Sequence, residues 1–283
     1  MIYSVQNMVK MIRWETNHDE GEFSGSADLE MMFIDQAQDT IFDIIADYRP
    51  EILSTYFDLT LTGVSQYYIP DYIPFDYEQI LMIEDRTSTD SPTNTVTTSW
   101  FDRLAYFDGT ISTSQIPFSV RDQYIEIPYK TDNATLRVWY TRRPVPLHYG
   151  TVGTTGNTSV IFPATPTGGH LRVQDDYYNG MNIYSGEQVR TISDYVASTR
   201  TATISVAWAT NPTANTSTYS LLSPLPERLH ALIAQVAIRL IKVGQDDDDT
   251  AVARLIIDET DKIIKRLRRP VKNGPNLIRK VER

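Results

Sequence analysis

SPLPERLHALIAQVAIRLIKVG, residues 223–244, is the stretch that decides the reading of this chain. Leu229, Leu232, Ile233, Val236, Leu240 and Val243 recur at spacings of three and four, which puts them on one face of an α-helix. Pro226 stands where a missing amide hydrogen does no harm, and Gly244 is the expected stop. Working downstream, Asp246 to Asp249 sit at the start of a second predicted helix, with Val252, Leu255, Ile256, Ile263 and Leu267 on its apolar side. Two such helices with a short joint predict an antiparallel hairpin. Pro270 ends it, and VKNGPNLIRKVER reads as an extended arm.

Upstream of the hairpin the texture differs. Residues 150–222 are rich in Thr, Ser, Gly and Asn, with short strand candidates such as VRTISDY and RTATISVAW alternating polar and apolar residues. Asn179-Gly180 is the expected hairpin turn, because both central positions of a type I′ turn need positive φ. About seventy residues of this kind predict an inserted small β-barrel or sandwich. Before it, Gln115–Val120, Gln123–Tyr129 and Ala134–Thr141 read as strands, as do Leu59–Ile69 in part and Glu78–Glu84. Leu136, Val138 and Tyr140 alternate with Arg137 and Trp139, the pattern of a half-buried antiparallel strand. TSTDSPTNTVTTS reads as loop.

At the N-terminal end, Val5, Met8, Val9 and Ile12 predict a short helix capped by Ser4. A longer one follows after Ser26, with Asp28 and Glu30 in its first turn, Leu29, Met32, Phe33, Gln36, Ile41, Ile44 and Ile45 as its apolar face, and Pro50 at its end. The expected fold class is therefore α+β. N-terminal helices and a core β region occupy 1–149, an inserted all-β module 150–222, a closing helical hairpin 223–269, and a basic arm 270–283.

The chain has 283 residues, 41% hydrophobic and 22% charged, and no cysteine, which excludes disulfides, thiolate zinc sites and a cysteine nucleophile. No apolar run approaches the roughly 18 residues that span a bilayer, and the N-terminus lacks a signal-peptide pattern, so no membrane partner is expected. The formal net charge is -10. Residues 262–283 hold nine basic residues and one acid, +8, leaving 17 basic and 35 acidic residues, -18, for positions 1–261. The molecule is electrically polar from end to end.

Motifs that carry chemistry are missing. His18, His148, His170 and His230 are too dispersed for a short-range metal pair, and no nucleophile elbow, P-loop or dinucleotide fingerprint occurs. The aspartate run lacks the Gly and bidentate Glu of a calcium loop and reads as a solvated helix start. Acid pairs such as Asp175–Asp176 are too common here to nominate a glycosidase. No enzyme activity, cofactor or metal is expected. The basic segment admits three readings: a solvated helix end, a phosphate-binding tail, or an arm that docks on an acidic protein surface.

In element order the chain resembles the head-to-tail adaptor (head-completion or connector) proteins of tailed phages. The resemblance runs through DLEMMFIDQAQDTIFDII, EQILMIEDR, IPFSVRDQYIEIPYKTDNATLRVWYTRRPVPL with its Y-x-R-x-P end, and the hairpin LPERLHALIAQVAIRLIKVGQDDDDTAVARLIIDETDKIIKRLRR. It implies a structural virion protein of the neck, assembled in the host cytoplasm as a homo-oligomeric ring, typically a dodecamer, below the portal. Such a ring extends the channel through which genomic double-stranded DNA passes without sequence-specific binding and gives the tail, or a second neck protein, its platform. The portal-docking residues it implies are Arg266, Arg268, Arg269, Lys272, Leu277, Ile278, Arg279 and Lys280. Residues 150–222 depart from a minimal adaptor and are expected to project outward. The rival expectation is another neck or tail subunit, tail-completion or receptor-facing, whose β insert binds carbohydrate.

Overall fold

The computed structural model describes residues 4–16, 28–48, 50–73, 77–86, 95–96, 118–121, 123–127 and 134–246. The fold is mixed α+β, with mainly antiparallel sheets and, among the described residues, three α-helices. The second helix of the expected hairpin and the basic arm fall outside the described residues.

Helix α1 spans Val5–Thr16 and buries the four residues its periodicity predicted, Val5, Met8, Val9 and Ile12. The Ser4 hydroxyl accepts the Asn7 amide at 3.3 Å, satisfying one of the free donors of the first turn. Helix α2 spans Asp28–Tyr48. Ile41 and Ile45 of the expected face are buried and Phe33 and Ile44 pack against the core, but the face is rotated in part: Met31, Ile34, Ala37 and Phe42 are also inside, whereas Met32 is 52% exposed and Gln36 faces solvent. The reason is visible in the partners. Glu30 turns inward to accept Arg13 Nε at 2.6 Å, and α2 packs along α3, Glu227–Asp246. Helix α3 runs through Gly244 rather than stopping there, and Asp246, expected at the start of a second helix, lies within it as its last described residue. A short 3-10 turn, Pro50–Leu53, follows α2.

The strands form three sheets. One has the order β1 (Ser54–Thr60), β7 (Thr135–Arg142), β3 (Tyr77–Asp85), β4 (Thr95–Val96). β4 lies inside the polar stretch read from sequence as loop. A second is built of β2 (Gln66–Tyr68), β6 (Tyr124–Glu126) and β5 (Ser119–Arg121). These two enclose one apolar core that includes Leu59, Tyr67, Ile83, Ile125, Leu136 and Val138.

The third sheet has the order β8 (Tyr149–Thr151), β14 (Thr218–Leu222), β11 (Asn182–Ser185), β12 (Gln188–Val196), β13 (Thr201–Ile204), β10 (Ser159–Ile161), β9 (Thr154–Gly156). Its two outermost strands, β8 and β9, are joined by Val152 and Gly153 alone. Two residues bridge at most about 10 Å, so the sheet is rolled until its edges nearly meet. The tight turn of this sheet is at Gly186 and Glu187, with φ of 54° and 64°, between β11 and β12; Asn179-Gly180 belongs instead to the irregular turn before β11. In β12 the register shifts between Ile192 and Asp194, and this bulge lets Ile192 and Tyr195, three apart, both face inward.

The buried residues group differently from the sequence-based partition. Helices α1, α2 and α3 share one apolar core with the seven-stranded sheet, while the 54–142 strands keep the other. β14 is the seam: Tyr219 and Leu221 point into the rolled sheet, while Ser220 meets the helices, its Oγ accepting the Val5 amide at 2.8 Å. The β segment after residue 149 therefore packs on the helices and does not stand clear of them.

Candidate functional site

The two cores meet at an open cleft of about 950 Å³. One wall is β1 from Ser54 to Phe57 with Asp71, Tyr72 and Tyr140; the other is Asp176, Asn179 to Asn182, Val189 and the turn Ser223–Leu225 that leads into α3. Phe57 stacks on Tyr72 with ring centroids 5.5 Å apart and tilts against Tyr140 at 5.9 Å, so this wall is aromatic and firm.

Arg142, the last residue of β7, bolts the walls together. Its guanidinium donates to the Asn179 carbonyl at 2.5 Å and the Tyr177 carbonyl at 2.9 Å. Burial pushes its pKa down to about 10, still far above neutrality, so it is charged in the cell's range. The loop it grips is itself fixed: Asn179 Nδ2 donates to Asp176 Oδ1 at 2.7 Å, and the Gly180 amide to the Ile192 carbonyl at 2.8 Å. Three exposed carboxylates, Asp71, Asp176 and Glu227, line the cleft, and among the described residues the one guanidinium in its lining, Arg142, is held by backbone carbonyls. The cleft is thus electronegative and aromatic.

His230 and His148 are structural. His230 sits under the cleft in the first turns of α3, its Nε2 within 2.8 Å of the Leu225 carbonyl and 3.2 Å of the Ser223 carbonyl, which makes it the donor that ties down the turn before the helix. His148 is fully buried among Phe162, Tyr178 and Tyr219, ring centroids 5.0, 5.1 and 5.5 Å away, with Nδ1 and the Tyr219 hydroxyl 2.9 Å apart. Burial lowers its pKa to about 3, so the ring is neutral, and the same burial raises the Tyr219 phenol. This aromatic knot packs the interior of the rolled sheet. His170 is exposed, and His18 lies outside the described residues. Among the described residues no group of three His, Asp or Glu is placed to hold a metal ion.

Helix α2 supplies the remaining electrostatics. Asp35 accepts the Leu147 amide at Oδ1, 3.0 Å, and Gln38 Nε2 donates to the Val145 carbonyl at 3.2 Å, so α2 fastens the link from β7 to β8. Burial, with a smaller push from Asp39, raises Asp35 to about 7. One, two and three turns on, Asp39, Asp43 and Asp47 face solvent as a row of carboxylates.

Of the residues singled out from sequence, the docking set Arg266, Arg268, Arg269, Lys272, Leu277, Ile278, Arg279 and Lys280 lies outside the described residues. Asp175 and Asp176 are exposed, Asp175 accepting the Ala197 amide at 2.7 Å. The cleft was missed, although Arg142 is the arginine of the quoted Y-x-R-x-P segment; nothing in that motif tells which carbonyls the guanidinium will reach.

No family model matches the chain, and no curated protein matches it. Among the described residues no helix is long and apolar enough to cross a membrane.

Proposed function

We propose that the chain is a head-to-tail adaptor of a tailed phage: a structural subunit that forms a ring below the portal, lengthens the DNA channel and carries the tail or a second neck protein. The observation that carries this reading is the separation of charge. A body of -18 is followed by a segment of +8, and the row Asp39, Asp43, Asp47 on the outer side of α2 gives the body a carboxylate face. Turned toward a channel, that face repels DNA phosphates, so a genome slides past without sticking. The basic segment, with Arg266, Arg268, Arg269, Lys272, Arg279 and Lys280 interleaved with Leu277 and Ile278, has the composition to grip an acidic partner, and the portal is the partner proposed. Arg142, which ties the two walls of the cleft together through backbone carbonyls, and the aromatic knot, which packs the interior of the rolled sheet, suit a load-bearing part better than a catalyst. In finer detail, the fold proposed is a helical bundle closed by a hairpin, with residues 150–222 as a rolled β module placed between core strand and hairpin.

The test is direct. Purified protein viewed by electron microscopy is expected to form closed rings, alone or on addition of portal, and truncation after Arg269 is expected to abolish retention on immobilised portal. Rings that never form, together with full retention of the truncated chain, would remove the proposal.

A further inference from the structure

β1 is the outermost strand of its sheet: its register with β7 runs from Ser54↔Thr141 to Thr60↔Thr135, and among the described residues no strand pairs with its other side. A seven-residue unpaired edge is a template for another chain, and proteins normally blunt or cover such edges. Here residues 54–57 of that edge open into the cleft, opposite Asn182 and Val189, with the carboxylates of Asp71, Asp176 and Glu227 around it. The setting suits an extended peptide that adds as a strand, gives apolar side chains to Phe57 and Tyr72, and carries cationic ones.

The chain itself contains such a peptide. Residues 276–283, NLIRKVER, follow the last proline, so each residue has an amide hydrogen to donate; Leu277, Ile278 and Val281 are apolar, and Arg279, Lys280 and Arg283 outnumber Glu282. We propose that the cleft receives residues 276–283 of a second copy, added as a strand against the free edge of β1. A second copy is the occupant because a strand handed from one copy to the next propagates around the proposed ring, and because the carboxylates around the cleft, Asp71, Asp176 and Glu227, complement the cationic side chains of that segment. The inference rests on the docking reading of the basic segment. A segment held by a neighbour until the portal is met, and then released to it, makes the two contacts successive.

The absence of cysteine makes a clean test possible in the full-length chain. Thr55→Cys is placed in one chain and Ile278→Cys in another, and the two are mixed under mild oxidation; Val173→Cys, on a side chain 93% exposed and outside the cleft, replaces Thr55→Cys as the control. The Thr55→Cys chain is expected to cross-link to the Ile278→Cys chain at least about tenfold faster than the control, because docking raises the local thiol concentration. The excess is expected to vanish when Asp71→Lys and Glu227→Lys are added to the Thr55→Cys chain, with circular dichroism of each variant unchanged. Equal rates for the two pairs overturn the proposal. So does a double variant, Thr55→Cys with Ile278→Cys, that closes within one chain at high dilution, since the occupant is then the chain's own segment. Cross-linking without portal binding leaves this site standing and removes the portal reading; portal binding without cross-linking does the reverse.

Discussion

Replacing Asp35 by Asn is expected to stabilise the protein at pH 8 and to change little at pH 4. The carboxyl is held at the joint between α2 and the β7–β8 link, where burial raises its pKa from 3.8 to about 7. Below pH 3.8 it is neutral in folded and unfolded chains alike, and its contribution is intact. As pH rises from 3.8 toward 7 the unfolded chain releases this proton while the folded one keeps it, so stability drains away at about 1.4 kcal/mol per unit. Above about 7 the loss is complete, roughly 4 kcal/mol in order of magnitude. Asn keeps an oxygen at Oδ1 to accept the Leu147 amide, 3.0 Å away, and has no proton to lose. His148 works in the opposite sense: with its folded pKa lowered to about 3, protonation of the unfolded chain below pH 6.5 costs stability as pH falls. In the wild-type chain these two slopes oppose each other between about pH 4 and 6.5, so their joint effect there is nearly flat. Urea unfolding of both proteins from pH 4 to 8 gives the difference directly. It should rise steadily with pH and level off just above 7, and the variant alone should show the unopposed rise due to His148. A difference that is independent of pH, or that favours wild type at pH 8, would refute the account of Asp35.

Two further substitutions check the packing. Gly169 has φ of +78°, and an added Cβ would collide with the Leu147 carbonyl, so Gly169→Ala is expected to lower the thermal midpoint by several degrees and, since Leu147 also donates to Asp35, to shift the pH profile just described. Tyr219→Phe removes the hydroxyl 2.9 Å from His148 Nδ1 and leaves a buried nitrogen unsatisfied, at a cost of about 1–3 kcal/mol by chemical unfolding; a loss below about 0.5 kcal/mol on that scale would show the pair to be idle.

The elements that could be read from the sequence are those whose partner does not matter to the pattern. Val5, Met8, Val9 and Ile12 are buried as their spacing demands, and β7 alternates from Leu136 to Tyr140 as its residue types do. Where a second surface intervenes, the pattern misleads. On α2 the inward turn of Glu30 toward Arg13 and the packing of α3 along it rotate part of the buried face away from Met32. On β12 one extra residue between Ile192 and Asp194 breaks the alternation that a two-residue period assumes. The pairing of the helices with the rolled sheet had one trace, in β14: Tyr219 to Leu222 are buried on both faces, and the segment TYSLL has only small or apolar residues after its first. The cleft left no trace, because it forms where residues as distant as Thr55, Asp176 and Leu225 are brought together by topology. The docking residues cannot be weighed this way, since they lie outside the described residues.

The rolled sheet begins at Tyr149 and ends at Leu222, and the strands holding these residues are neighbours, with Tyr149 opposite Ser220 and Thr151 opposite Thr218. A tension applied along the backbone therefore enters and leaves by adjacent rungs of one ladder, and the five other strands carry none of it. Antiparallel neighbours pulled from this end come away rung by rung, like a zip. What stands against the zip is the α1 terminus, whose Val5 amide sits on Ser220 Oγ at 2.8 Å. Under a load along the chain, the residues at the start of α1 would be the clasp, and their loss would leave the sheet folded at rest yet weak under strain.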